Sequence, residues 1–189
     1  MGQGSSKQQE DFLTEEEIED YQDLTYFTRQ EIIVAHKKFK ALAPDIVSEN
    51  RNARLEMSVM LNYPELRANP FGDRICKVFS SLQDGSCTFE DFLDMMSVLS
   101  VHAPKTVKSE YAFRIFDFDN DDMIGREDLR ELINRLTAPQ RITEMEMMQL
   151  IQNINNESDL DDDGMLSFAE FEHIISKCPD FTDSFSVKL

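Results

Sequence analysis

The densest chemistry in the chain lies in residues 159–170, Asp-Leu-Asp-Asp-Asp-Gly-Met-Leu-Ser-Phe-Ala-Glu. Carboxylates at the first, third and fifth positions (Asp159, Asp161, Asp163) converge on one point when the backbone curls. Gly164 at the sixth position permits the sharp turn, the Met165 carbonyl faces inward at the seventh, and Ser167 at the ninth can hold a bridging water. Glu170, at the twelfth, is long enough to chelate with both oxygens. Together they offer the hard oxygen ligands that Ca²⁺ takes at about 2.3–2.6 Å. Residues 117–128 repeat the design with Asp117, Asp119, Asp121 and the Met123 carbonyl, but with two departures. Asp122 replaces Gly at the sixth position, where Asp tolerates a left-handed backbone at some strain. Asp128 closes the loop one methylene short of Glu, so it gives one oxygen or the loop must tighten. Six-fold coordination suits Mg²⁺ better than Ca²⁺. This loop is therefore expected to hold Mg²⁺ at rest and exchange it for Ca²⁺, making two Ca²⁺ sites in all.

Loops of this kind need a helix on each side, which is the EF-hand arrangement. Leu129, Leu132, Ile133 and Leu136 recur at helical spacing, as do Met147, Leu150, Ile151 and Ile154, then Phe171, Ile174 and Ile175. Thr14 with Glu17, Thr28 with Glu31 and Thr143 with Glu146 match the capping box that starts a helix. Ile32, Ala35 and Phe39 mark a helix that Pro44 stops, and a weaker one runs over residues 53–62. Asn69 and Pro70 read as the N-cap and first residue of a helix carrying Ile75, Val78 and Phe79; Asn-Pro-Phe is also a short endocytic ligand motif. Phe89, Phe92, Leu93, Met96 and Leu99 line the next. No run alternates long enough to make a strand. The fold expected is all-α: four helix-loop-helix units in two paired lobes, followed by a tail helix.

Residues 80–91 keep Gly85 and the apolar Cys87 of such a loop, but Ser80 and Leu82 replace two carboxylates, so no ion is expected there. Residues 40–53 hold only Asp45 and Glu49 among acids, and a first hand there would be structural. Ile124 and Leu166, at the eighth loop positions, are placed to join the last two hands by a short backbone ladder. The chain then divides into a tail (1–13), an ion-free pair (14–103), an ion-binding pair (104–178) and a C-terminal tail (179–189).

The 189 residues carry a formal charge of −18, which repels phosphates and argues against nucleic acid. No apolar run spans a bilayer and no secretory h-region opens the chain. Cys76, Cys87 and Cys178 lack paired spacing and read as reduced thiols. His36, His102 and His173 have no metal or triad spacing, and no nucleophile–base pair or phosphate loop is visible, so no enzyme is expected. Asn156-Glu157-Ser158 matches a glycosylation sequon by chance. Met1-Gly2-Gln3-Gly4-Ser5-Ser6 matches the N-myristoylation pattern, with Gly2 as acceptor. One such chain anchors only marginally, so attachment to the inner face of the plasma membrane would need a membrane-bound partner, the protein being otherwise cytoplasmic.

Four stretches resemble the calcium- and integrin-binding proteins: Asp20-Tyr21-Gln22-Asp23-Leu24-Thr25, Pro64-Glu65-Leu66-Arg67-Ala68-Asn69-Pro70-Phe71, Tyr111-Ala112-Phe113-Arg114-Ile115-Phe116-Asp117-Phe118 and Pro179-Asp180-Phe181. The likeness runs from about residue 14 onward. It implies four EF-hands with ions in the last two, N-myristoylation, and capture of cytoplasmic segments of membrane proteins such as integrin α tails. Asp122 and residues 39–44 look nearer to the branch tied to sensory cells, whose partners include subunits of the transmembrane channel-like mechanotransduction complex.

The partner expected is a short helix, apolar on one face and basic on the other, held in a groove rich in Phe and Met. Phe92, Met96, Phe113, Leu132, Leu136, Leu150, Ile154 and Ile174 are candidates for that groove. Phe181, Phe185 and Leu189 share one side of a tail helix, which either competes for the groove or completes the core. Two other functions fit an EF-hand chain: a cytosolic Ca²⁺ buffer, or a regulatory subunit of an enzyme. Two silent hands argue against the first and the family stretches against the second.

Overall fold

Hydroxyl side chains set five of the helix starts. Thr14, Thr28 and Thr143 each accept a hydrogen bond from the amide three residues on, and Glu17, Glu31 and Glu146 reciprocate, as their spacing predicts. Thr88 with Asp91 and Ser167 with Glu170 do the same at the ends of two loops.

The computed structural model describes residues 13–161 and 163–186. It begins with α1 (Glu15–Leu24), α2 (Arg29–Leu42), α3 (Pro44–Glu49), α4 (Met57–Met60), α5 (Pro64–Ala68) and α6 (Gly72–Phe79). There follow α7 (Phe89–Val98), α8 (Lys105–Phe116), α9 (Arg126–Thr137), α10 (Glu144–Ser158), α11 (Phe168–Ser176) and α12 (Phe181–Ser184). The fold is all-α. Among the described residues, extended pairing is confined to two antiparallel bridges. Ile124 and Leu166 exchange backbone hydrogen bonds of 2.9 Å, joining the last two loops at the expected positions. Leu55 and Cys87 do the same at 2.8 and 2.9 Å, so a first hand exists as the partner of the second.

Three local readings change. The helix expected over residues 53–62 shrinks to α4, because Leu55 must stay extended to pair with Cys87. Pro44 not only follows α2 but opens α3 at its first turn. Asn69 caps no helix start: it ends α5, and its Oδ1 accepts the Phe71 amide at 2.8 Å, forming a turn that delays α6 to Gly72.

Apolar side chains gather in two clusters. The first is built on α1–α7, with Phe39, Phe92 and Met96 at its centre. The second holds Phe113, Leu129, Ile133, Met147, Ile151 and Phe171 around the Ile124–Leu166 bridge. α8 serves both, giving Ile115 to the first and Ala112 and Phe113 to the second, while Phe116 packs against each. All three cysteines are free. Cys76 and Cys87 are buried, which pushes their thiols up to about 12, and Cys178 is exposed.

Candidate metal centres

The loop over residues 117–128 begins where α8 ends. Asp117 is buried, and its two carboxylate oxygens accept the Asp121 and Asp122 amides at 3.2 and 3.0 Å. Those bonds require the chain to double back. Asp122 does so with φ of +65°, the left-handed conformation expected of the sixth position. Asp128, also buried, accepts the Phe118 amide at 2.8 Å and the Gly125 amide at 2.9 Å. In residues 159–170 the same bonds recur one for one. Asp159 accepts Asp163 and Gly164 amides at 3.2 and 2.7 Å, and Gly164 has φ of +82°. Glu170 accepts the Leu160 and Ser167 amides at 2.8 and 2.9 Å. The shorter Asp128 thus reaches the second and ninth amides of its loop just as Glu170 does.

Ligand oxygens of Asp117, Asp119 and Asp128 lie within 4.8 Å of one another, and so do those of Asp159, Asp161 and Glu170. A Ca²⁺ ion with oxygens at about 2.3–2.6 Å fills a sphere roughly 5 Å across. Both triads therefore fit a hard divalent cation. Asp121 and Asp163, at the fifth positions, stand outside the triads, each accepting the amide two residues on (Met123 at 2.9 Å, Met165 at 2.8 Å). Ser167 caps α11 and donates its hydroxyl to Glu170 at 2.7 Å. That bond and the loop amides hold Glu170 below the usual carboxylate range. Burial pushes Asp117 the other way, and a divalent ion among these acids would favour their charged forms.

The loop over residues 80–91 carries its own cation. Arg54, from the first hand, donates to Asp91 Oδ2 at 3.1 Å, to the Ser86 carbonyl at 2.8 Å and to Ser81 Oγ at 2.6 Å. A guanidinium thus sits on the twelfth-position carboxylate, while Asp84 is taken up by Ser86 and Ser80. Sequence reasoning missed Arg54, because only the Leu55–Cys87 bridge brings the two loops side by side. Arg54→Ala leaves Asp91 half-buried without its charge partner, and is expected to cost about 2 kcal/mol in chemical denaturation without moving either Ca²⁺ transition.

Arg74 ties the first two hands to the third. It is buried on α6, and its guanidinium donates to the carbonyls of Arg114 (2.9 Å), Ile115 (3.2 Å) and Asp117 (2.5 Å), at the junction of α8 and the loop. Beside it Arg135 of α9 pairs with Asp73 of α6 at 2.5 Å, and both guanidinium groups lie over the Phe118 ring. Burial works against the Asp73 carboxylate, but Arg135 outweighs it and holds that group below its ordinary value.

The candidate groove residues are divided between the two clusters and the surface. Phe92 and Met96 are sealed inside the first cluster, because α7 packs its apolar face on α2 and α6. Phe113 is core of the second cluster, with Leu132, Ile154, Ile174, Phe181 and Phe185 partly buried around it. Leu136 and Leu150 point outward, 60 % and 40 % exposed. Gly2 and Leu189 lie outside the described residues.

Residues 107–176 match the EF-hand domain pair. Over 183 residues, 94 % of this chain and 96 % of the relative, the chain is 43 % identical to calcium and integrin-binding family member 2 of Drosophila melanogaster. It is 41 % identical over 181 residues to the proteins of that name from Mus musculus and Homo sapiens, again over 94 % of this chain and 96 % of theirs. With two matched carboxylate triads on paired loops and this likeness along nearly its whole length, the chain belongs to the calcium and integrin-binding family of Ca²⁺-binding EF-hand proteins.

Proposed function

We propose that the chain is a non-enzymatic adaptor that responds to Ca²⁺ and Mg²⁺ and captures amphipathic cytoplasmic segments of membrane proteins in an apolar groove. Its third and fourth hands hold Ca²⁺, the third holding Mg²⁺ at rest. Integrin α tails are one class of partner, in keeping with the relatives' names. Subunits of transmembrane channel-like mechanotransduction complexes are another, suggested by the resemblance of residues 39–44 and Asp122. A myristoylated Gly2 would add weak contact with the inner face of the plasma membrane.

One observation carries the reading. Phe181, which opens a four-residue helix outside the EF-hand repeat, and Phe185, just past its end, lie against the second cluster, and both stay only partly buried. Each buried Phe is worth on the order of 1.5–3 kcal/mol, so a segment this short occupies the face without sealing it. An incoming amphipathic turn has the same face to use.

The test is fluorescence anisotropy of labelled peptides from an integrin α cytoplasmic tail and from a transmembrane channel-like protein, added to the full chain. At least one should bind, more tightly in Ca²⁺ than in chelator, and its association should slow as salt rises, because the −18 charge draws the basic face. Ca²⁺ uptake without binding of either peptide would leave a buffer and sink the adaptor.

A further inference from the structure

Lys108 is fully buried on α8, 0 % exposed. Its Nζ donates to the Phe185 carbonyl at 2.8 Å, to Ser186 Oγ at 2.5 Å and, at longer range, to the Thr182 carbonyl at 3.5 Å. All three acceptors belong to the C-terminal segment, and Asp183 of that segment supplies the nearby negative charge. One turn earlier, Lys105 donates to the carbonyls of Cys178 (3.0 Å) and Ser176 (3.5 Å). The two lysines thus address the ends of α12 and α11, where helix carbonyls lack intrahelical partners and a cation is favourable. Alongside, the Phe181 and Phe185 rings stack at 5.5 Å and rest on the second cluster.

This arrangement sets a condition on anything that takes the segment's place. A buried ammonium is costly unless acceptors surround it. Two apolar rings four residues apart would refill the apolar part of the site, but they would strand Lys108. The replacement must also bring oxygen acceptors just past the second ring. A continuing helix hides its carbonyls there, whereas a helix that stops, or one that carries an acid, presents them.

We propose that Lys108 is a specificity-determining residue of the groove, and that the partner it fits is an apolar helical turn followed at once by an acidic side chain or open carbonyls. The inference rests on the groove reading above and adds the chemistry of the occupant. The basic face expected of the partner meets the acidic surface, while one acidic or carbonyl point meets Lys108 inside.

Two labelled peptides copying residues 178–189 provide the probe, one with Asp and one with Lys in place of Ser186. On the full chain the Asp peptide should bind about tenfold more tightly than the Lys peptide. In Lys108→Met the order should reverse, since the net charge then favours the basic peptide, and Lys108→Arg should restore it. Hydrogen exchange supplies a second readout: the Ser184 and Phe185 amides, bonded to Asp180 and Phe181, should exchange about tenfold faster in Lys108→Met, while α11 holds. Unchanged exchange overturns the proposal whatever the peptides do, as does binding of both peptides without preference, or the same preference in Lys108→Met. If exchange accelerates but neither peptide binds, the groove reading fails and the partner assignment falls with it, leaving Lys108 a clamp for the tail alone.

Discussion

Replacing Glu170 by Gln is expected to abolish the tighter of two Ca²⁺ transitions in calorimetry and to leave the weaker one intact. The two loops match bond for bond at the first, fifth and twelfth positions. Among the matched carboxylates, what differs is the length of the twelfth side chain. Glu170 takes the amides of Leu160 and Ser167 from a side chain one methylene longer, and a Glu at this position can turn both oxygens to an ion. Asp128 makes the equivalent bonds at the same distances, but its shorter side chain has less reach left for a second oxygen. The fourth hand should therefore be the stronger Ca²⁺ site. Gln keeps one neutral oxygen and loses the charge, and affinity in these loops follows ligand charge. A fall of roughly 100-fold, about 2.7 kcal/mol, would remove the tighter transition from the working range. Loss of that transition in Asp128→Ala instead would reverse the ranking.

Arg74→Ala should be strongly disruptive although it lies outside the ion loops. The guanidinium serves three backbone carbonyls at the end of α8, and water has little access to replace it. Charge-assisted bonds to buried groups are worth about 1.5–3 kcal/mol, and the stranded carbonyls add their own cost. A loss of about 3 kcal/mol, or a melting midpoint lower by roughly 6–12 °C for a chain of this size, is expected in thermal circular dichroism. The change should also weaken the third hand selectively, because one of those carbonyls belongs to Asp117, the first residue of its triad. Calorimetry on the same variant separates the effects. Equal weakening of both hands, or stability within about 0.5 kcal/mol of wild type, would remove Arg74 from this role.

The parts of this molecule that follow from local chemistry could be read from its residues. Capping boxes at Thr14, Thr28 and Thr143, the left-handed Asp122 and the Ile124–Leu166 pairing each depend on a few neighbouring positions in a fixed register. Asn69 shows the limit even at short range: the same side chain can cap a helix or close a turn, and the packing of α5 on α6 decides which. Side chains acting across the fold left no local trace. Arg54 on Asp91, Arg74 on α8 and Lys108 on the C-terminal segment join residues far apart in sequence, and each looks like an ordinary surface cation when read alone. A helical stripe, the signal that marks the groove candidates, separates inside from outside but not one cluster from another. For that reason the candidates divide, with Phe92 and Met96 in the first cluster and Phe113 in the second.

The unequal settings of the three cysteines give the chain a built-in reporter. Cys76 and Cys87 are closed off and their thiols resist ionisation, whereas Cys178 is open to solvent at the junction of α11 and α12. Thiolate is the species that reacts with alkylating dyes. A maleimide fluorophore added to the unmodified sequence thus has one address, next to the carbonyl held by Lys105. Displacement of the C-terminal segment would change that dye's surroundings directly, with no cysteine-free background to engineer first.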